Sequence, residues 1–185
     1  MLNQIQQNKQ RVFFKLLDSN HDGFIESTDF EAIGENVFIM LGIELDTHAF
    51  RQIEELSEKL RVDIREYTDK KRGNKCSIDE WLSFADEQIV NCDEEWYNNY
   101  INSIVSGLFD MFDSNSDGLI SDIEYINLFT SFRIEVRFAS KCFKQLDTNN
   151  DGYISRDELV TAIKEFMRSD KPDTSGNSLF GDLEN

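Results

Sequence analysis

The sequence predicts an all-α protein built from four helix–loop–helix units in two paired lobes. The lobes close into one compact globule, with short antiparallel β contacts between paired loops. Three observations predict this. A twelve-residue acidic pattern recurs three times, at 18–29, 113–124 and 147–158. Apolar residues flank each copy at helical spacing. A single Pro and nine Gly stand against 15 Phe, which disfavours an all-β chain with many tight turns and supplies an aromatic core.

The three segments are "DSNHDGFIESTD", "DSNSDGLISDIE" and "DTNNDGYISRDE". Each has Asp at position 1, Asn at 3, Asp at 5, Gly at 6, Ile at 8 and an acid at 12. Phe14, Phe109 and Phe143 stand four residues before the loops, and Leu17, Phe112 and Leu146 stand just before them. Phe30 and Ile33, Tyr125 and Leu128, and Leu159 and Ala162 follow at matching offsets. Spacings of three and four put these residues on one face of the helices entering and leaving each loop.

The spacing suits a hard cation that takes six to eight oxygens. Side chains at positions 1, 3 and 5 of a tightly turning backbone point inward, and position 7 offers its carbonyl. Position 9 ligates directly or through water, and the acid at 12 arrives from the exiting helix. Gly23, Gly118 and Gly152 permit the positive φ that lets the chain double back. This is the EF-hand pattern.

A fourth copy, "DKKRGNKCSIDE" (69–80), keeps only its second half. Glu80 falls at position 12 and Cys76 at 8, with Trp81 and Phe84 on the exiting helix. Lys71, Gly73 and Asn74 replace the ligands and the glycine at positions 3, 5 and 6, and Lys70 and Arg72 add repulsion. The entering flank has Arg65 and Thr68 where Phe and Leu recur elsewhere. Helix–loop–helix shape without metal is expected. Pairing by the position-8 residues would join Ile25 to Cys76 and Ile120 to Ile154. That gives an N-terminal pair over 1–91 and a C-terminal pair over 92–170; Pro172 stops the last helix, and of a disordered end, a lid or a docked tail over 171–185, apolar Leu179 and Phe180 favour the tail packing on the helices. Between the first two loops, "THAFRQIEELSEKLRVDIREY" predicts a long helix with Phe50, Ile53, Leu60 and Ile64 inward.

Three intact loops, a lost second loop and a long first linker resemble the invertebrate sarcoplasmic calcium-binding proteins. "FFKLLDSNHDGFIESTDFEAI", "KCSIDEWLSFADEQIV" and "GNSLFGDLEN" are most similar to the calexcitin branch of that family. The resemblance implies three calcium sites. Site one would use Asp18, Asn20, Asp22, the Phe24 carbonyl, Glu26 and Asp29. Site three would use Asp113, Asn115, Asp117, the Leu119 carbonyl, Ser121 and Glu124. Site four would use Asp147, Asn149, Asp151, the Tyr153 carbonyl, Ser155 and Glu158, with both serines acting through water. Asp29, one methylene shorter than Glu, predicts magnesium competition strongest at site one.

The resemblance implies a calcium-signalling sensor with buffering capacity. The alternatives are a pure calcium/magnesium buffer and a calcium-regulated luciferin-type carrier, because photoproteins and luciferin-binding proteins share the architecture. Only four Met argue against a flexible Met-rich groove, and the abundant Phe favours a closed core. Formal charge of −17 argues against nucleic acid and anionic membrane as partners. Cys76, Cys92 and Cys142 are odd in number and scattered, which fits reduced thiols in the cytoplasm. "MLNQIQQNKQ" lacks a signal-peptide run, Leu2 stands where myristoylation needs Gly, and no stretch is apolar enough to span a membrane. No catalytic motif is present, and His21 and His48 read as surface residues, so a monomeric binding protein and no enzyme is expected. Trp81, Trp96, Tyr97 and Tyr100 read as core packing.

Overall fold

The computed structural model describes residues 1–42, 48–65 and 75–181, with the side chains at 48–50, 52–54, 56 and 57 outside that description. Eight α-helices occur among the described residues: α1 Gln4–Leu17, α2 Ser27–Leu41, α3 His48–Arg65, α4 Ile78–Phe84, α5 Glu94–Phe112, α6 Asp122–Ser131, α7 Ala139–Leu146 and α8 Arg156–Arg168. Four two-residue strands lie between helices: β1 Phe24–Ile25, β2 Cys76–Ser77, β3 Leu119–Ile120 and β4 Ile154–Ser155. They pair antiparallel as β1–β2 and β3–β4. The register sets Ile25 opposite Cys76 and Ile120 opposite Ile154, the two contacts the repeat predicts.

The flanking residues bury as their spacing requires. Phe14, Leu17, Phe109, Phe112, Phe143 and Leu146 are buried on the entering helices, and Phe30, Tyr125, Leu128, Leu159 and Ala162 on the exiting ones. The prediction for the long linker is met at Ile64, which is buried, and at Leu60, which is partly buried against the core. Phe50 and Ile53 lie outside the described side chains. Trp96 departs from the expectation of core packing: it is 43% exposed and stacks on Tyr100 at 4.9 Å. Trp81, Tyr97 and Tyr100 are buried.

One core serves both halves of the chain. α1 packs on α4 and α8, α2 on α6, and α5 on α8. Phe13 of α1 meets Trp81 of α4 at 5.7 Å and stacks on Phe180 at 5.6 Å, with Phe166 of α8 edge-on at 6.2 Å. Polar groups reinforce this seam. A helix leaves its last carbonyls without partners, and α8 has these satisfied by side chains of α1. Gln6 Nε2 donates to Arg168 O at 2.8 Å and Gln10 Nε2 to Met167 O at 3.0 Å. Lys9 Nζ donates to Glu165 O at 2.7 Å and Ser169 O at 2.6 Å. Lys9 is fully buried, and that desolvation draws its pKa down to about 8 against the pull of Glu165 and Asp170.

After α8 the chain turns at Pro172 and forms a 3-10 turn, Ser175–Ser178, against α8 and α7. Leu179 is buried and its carbonyl accepts from the Tyr125 hydroxyl at 3.0 Å. No helix among the described residues is long and apolar enough to cross a membrane.

Candidate metal centres

The three complete loops fold by the same internal hydrogen bonds. In the first, Asp18 at position 1 accepts from the N–H of Asp22 at 3.1 Å and of Gly23 at 3.0 Å. Asp113 accepts from Asp117 and Gly118 at 3.0 and 2.9 Å, and Asp147 from Asp151 and Gly152 at 3.1 and 2.9 Å. Asn20, Asn115 and Asn149 at position 3 each accept the position-5 N–H with Oδ1, at 2.8, 2.9 and 2.8 Å. Asp22, Asp117 and Asp151 accept from the N–H of Phe24, Leu119 and Tyr153, whose carbonyls are the expected position-7 donors. A carboxylate oxygen accepts more than one hydrogen bond, so one lone pair per oxygen fixes the loop while others remain for a cation.

Two residues per loop hold positive φ. The glycines at position 6 stand at φ 88°, 83° and 87°, as the pattern demands. Position 4 is also left-handed although occupied by His21, Ser116 and Asn150, at φ 59°, 58° and 59°. Asn and His are enriched in this conformation and Ser is not, so at Ser116 the shape comes from the surrounding hydrogen bonds more than from the residue.

The acid at position 12 has a second task that motif reading missed. Ser121 and Ser155 at position 9 are the N-caps of α6 and α8, and Glu124 and Glu158 sit three residues on. Each forms a reciprocal capping box. Glu124 Oε2 accepts from Ser121 N–H at 2.9 Å and Oγ at 2.8 Å, while Oε1 accepts from Ser114 N–H at 2.9 Å. Glu158 Oε2 accepts from Ser155 N–H at 2.9 Å and Oε1 from Thr148 N–H at 2.9 Å. The S-x-x-E spacing was the readable signal. In loop one, Glu26 is the N-cap, and Asp29 accepts from Glu26 N–H at 2.9 Å and Asn20 N–H at 3.2 Å.

These environments separate loop one from the others. Burial alone would raise the pKa of Glu124 and Glu158, but donors from Ser121 and Ser114, and from Ser155, Thr148 and Asn149, outweigh it and hold both below the usual range. For Asp29 burial wins: the residue is fully buried, and its pKa is raised despite the N–H donors of Glu26 and Asn20.

The fourth loop is described only from Lys75 onward, so Asp69 to Asn74 lie outside the described residues. Its second half keeps the capping box, with Glu80 Oε2 accepting from Ser77 N–H at 2.8 Å. Lys75 leaves its own loop: Nζ lies 3.0 Å from Glu26 Oε1 and 3.4 Å from Asp22 Oδ2.

The donors at the ligating positions of the three loops are all oxygens, which fits a hard divalent cation. They mix carboxylate, amide, hydroxyl and carbonyl. Among the described residues no three His, Cys, Asp or Glu side chains gather into a metal-sized cluster by themselves. Residues 105–164 match the EF-hand domain pair family, and residues 11–33 match the EF hand. These two stretches, which hold loop one and the loops at 113–124 and 147–158, are EF-hand units.

Among curated relatives, this protein is 24% identical to calerythrin of Saccharopolyspora erythraea over 166 residues, covering 90% of this chain and 94% of that one. A sarcoplasmic calcium-binding protein from amphioxus shares the fold at a TM-score of 0.73 and 21% identity, over 98% of each chain. The calcium-loaded apo form of coelenterazine-binding protein from Renilla muelleri superposes at a TM-score of 0.74 and 19% identity, over 98% of this chain and 99% of that one. At such identities the structural likenesses show the fold, which is that of the sarcoplasmic calcium-binding proteins. By name, the amphioxus neighbour is a calcium-binding protein and the Renilla neighbour a coelenterazine-binding protein.

Proposed function

We propose that this protein binds three calcium ions, through loops 18–29, 113–124 and 147–158, and acts as an intracellular calcium sensor with buffering capacity. The observation that carries the binding reading is the shared wiring of the three loops. Position 1 is clamped by the N–H groups of positions 5 and 6, and position 12 by that of position 9. The oxygens at positions 1, 3, 5, 7, 9 and 12 of each loop are the ligands, and calcium supplies structural charge neutralisation there. Residues 1–91 and 92–170 are the two functional pairs, and the tail is their shared cover.

The seam between α1 and α8 supports a sensing role. α1 delivers the first ligand of loop one, α8 carries the last ligand of loop four, and Gln6, Lys9 and Gln10 tie the two helices together. A change in either loop therefore reaches the other half of the chain. Calorimetric titration with calcium, repeated in physiological magnesium, tests the binding reading: three sites are expected, and two or four overturn the assignment. Calcium-dependent fluorescence of an apolar dye is expected for a sensor; none would leave a buffer.

A second reading has one specific observation behind it. An apolar cavity of about 150 Å³ lies in the core, lined by Phe13, Trp81, Tyr100, Phe132 and Phe180 among others. Trp81, one of these lining residues, has a buried Nε1 without a hydrogen-bond partner among the described residues. A small apolar ligand with one acceptor oxygen would suit both features. Absorbance of the purified protein distinguishes this carrier reading, since a bound chromophore adds a band beyond the aromatic region.

A further inference from the structure

Lys75 stands at position 7 of the loop that lost its ligands, yet its ammonium lies in the neighbouring site. The β1–β2 register explains why. Phe24 opposes Ser77 and Ile25 opposes Cys76, so the next cross-strand pair is Glu26 with Lys75. Paired EF-hand loops thus set position 7 of one copy against position 9 of the other. In the C-terminal pair the residues so placed are Tyr153 and Ser121, which are uncharged. In the N-terminal pair they are a lysine and a glutamate.

The contacts differ in kind from those of loops three and four. There, the second oxygen of the position-5 carboxylate is held by an amide from within the loop. Asn115 Nδ2 donates to Asp117 Oδ2 at 2.8 Å, and Asn149 Nδ2 to Asp151 Oδ2 at 2.9 Å. In loop one the same oxygen, Asp22 Oδ2, faces Lys75 Nζ at 3.4 Å, and Glu26 Oε1 takes the shorter contact of 3.0 Å. Glu26 also makes loop one the most negative at its ligating positions. Asp18, Asp22, Glu26 and Asp29 stand against Asp113, Asp117 and Glu124 in loop three, and against Asp147, Asp151 and Glu158 in loop four. The ammonium offsets that extra charge.

We propose that Lys75 sets the affinity of site one, as a tethered cation that holds the site's carboxylates until a divalent ion displaces it. This rests on the reading of loop 18–29 as a metal site. A 2+ ion entering between Asp22 and Glu26 meets a positive charge a few ångströms away and must take both oxygens from it. The degenerate loop therefore regulates its neighbour, and metal binding at site one frees Lys75 towards solvent. The three side chains are partly exposed, so screening keeps the effect modest. Replacing Lys75 by Met, which keeps the length and drops the charge, is expected to tighten calcium at site one by about two- to fivefold.

The sites can be read one at a time through the amides of Gly23, Gly118 and Gly152, each of which donates to its loop's position-1 carboxylate. Calcium titrations followed by these three resonances in the full chain are compared for wild type, Lys75→Met, Glu26→Gln and the double variant. Expected are a Gly23 midpoint moved to lower calcium by Lys75→Met, unmoved Gly118 and Gly152 midpoints, and a smaller Lys75 effect in the Glu26→Gln background. Acylation of Lys75 by an amine-reactive reagent, mapped by mass spectrometry, should rise when calcium is added. An unchanged or higher Gly23 midpoint in Lys75→Met, or Lys75 labelling that falls with calcium, overturns the proposal while leaving site one intact. A Gly23 resonance that never responds to calcium in wild type or variant overturns the reading of loop one, and this proposal with it.

Discussion

Gly176 is where the tail can be tested with a single methyl group. A Cβ added there would lie 2.3 Å from Ala162 O, 2.6 Å from Glu165 Cβ and 2.7 Å from Phe166 N. Two of these atoms are backbone of α8, so α8 cannot give way and the 3-10 turn must withdraw by about an ångström to reach ordinary contact. That withdrawal disturbs the contacts that seat the tail. Glu165 Oε2 accepts from Gly176 N–H and Ser175 Oγ, both at 2.9 Å, and Tyr125 donates to Leu179 O at 3.0 Å. Three hydrogen bonds at about 1 kcal/mol each and the burial of Leu179 at about 2 kcal/mol give a gross seat of about 5 kcal/mol. Ordering the segment offsets much of that sum. The cost of Gly176→Ala is capped by the net value, because a strained tail can leave, and about 2 kcal/mol is expected, within the usual range for overpacking. Urea unfolding of the calcium-loaded protein measures it, and amide exchange at 175–181 shows whether the tail has left. A loss below about 0.5 kcal/mol with unchanged exchange would refute the docking argument.

Glu124→Gln and Glu158→Gln each keep the shape of the capping box and remove one ligand charge, so each is expected to weaken its own site by at least about tenfold, or about 1.4 kcal/mol, in a calcium titration. Asp29→Glu restores the longer reach at site one and should raise its preference for calcium over magnesium; competition titrations giving the same ratio as wild type would remove the chain-length argument. Lys9 supplies a pH test. Its folded pKa of about 8 lies below the ordinary value of 10.5, so between the two the unfolded chain binds more protons. Stability from this group is therefore present above 10.5 and lost as pH falls through 8, with a gain of about 2 kcal/mol expected between pH 7 and 9.5. Lys9→Met should flatten that slope in paired denaturation curves.

The loops were legible because the metal pattern is local. Twelve consecutive residues carry the donors, the glycine and the acid, and the flanks announce the helices by their spacing. The strand register was legible for the same reason, since position 8 is apolar in all three complete loops and Cys76 falls at that position in the fourth. Trp96 was misread because helical spacing names the face of a helix but not where the neighbouring helix ends. The capping boxes were written in the sequence as S-x-x-E and were overlooked because the same glutamates already had a role as ligands.

By itself the sequence determined the units: which segments are helices, which loops carry oxygen donors, and which copy had lost them. These depend on interactions within about a dozen residues. Only the tertiary structure decided how the units act on one another. Nothing in the spacing of Gln6, Lys9 and Gln10 indicates that they cap a helix more than 150 residues away, as Lys9 does at Glu165. Nor does a basic run in a failed loop reveal that Lys75 reaches the carboxylates of loop one. Both contacts join groups that are remote along the chain, and their partners are set by the packing of α1 on α8 and by the pairing of β1 with β2.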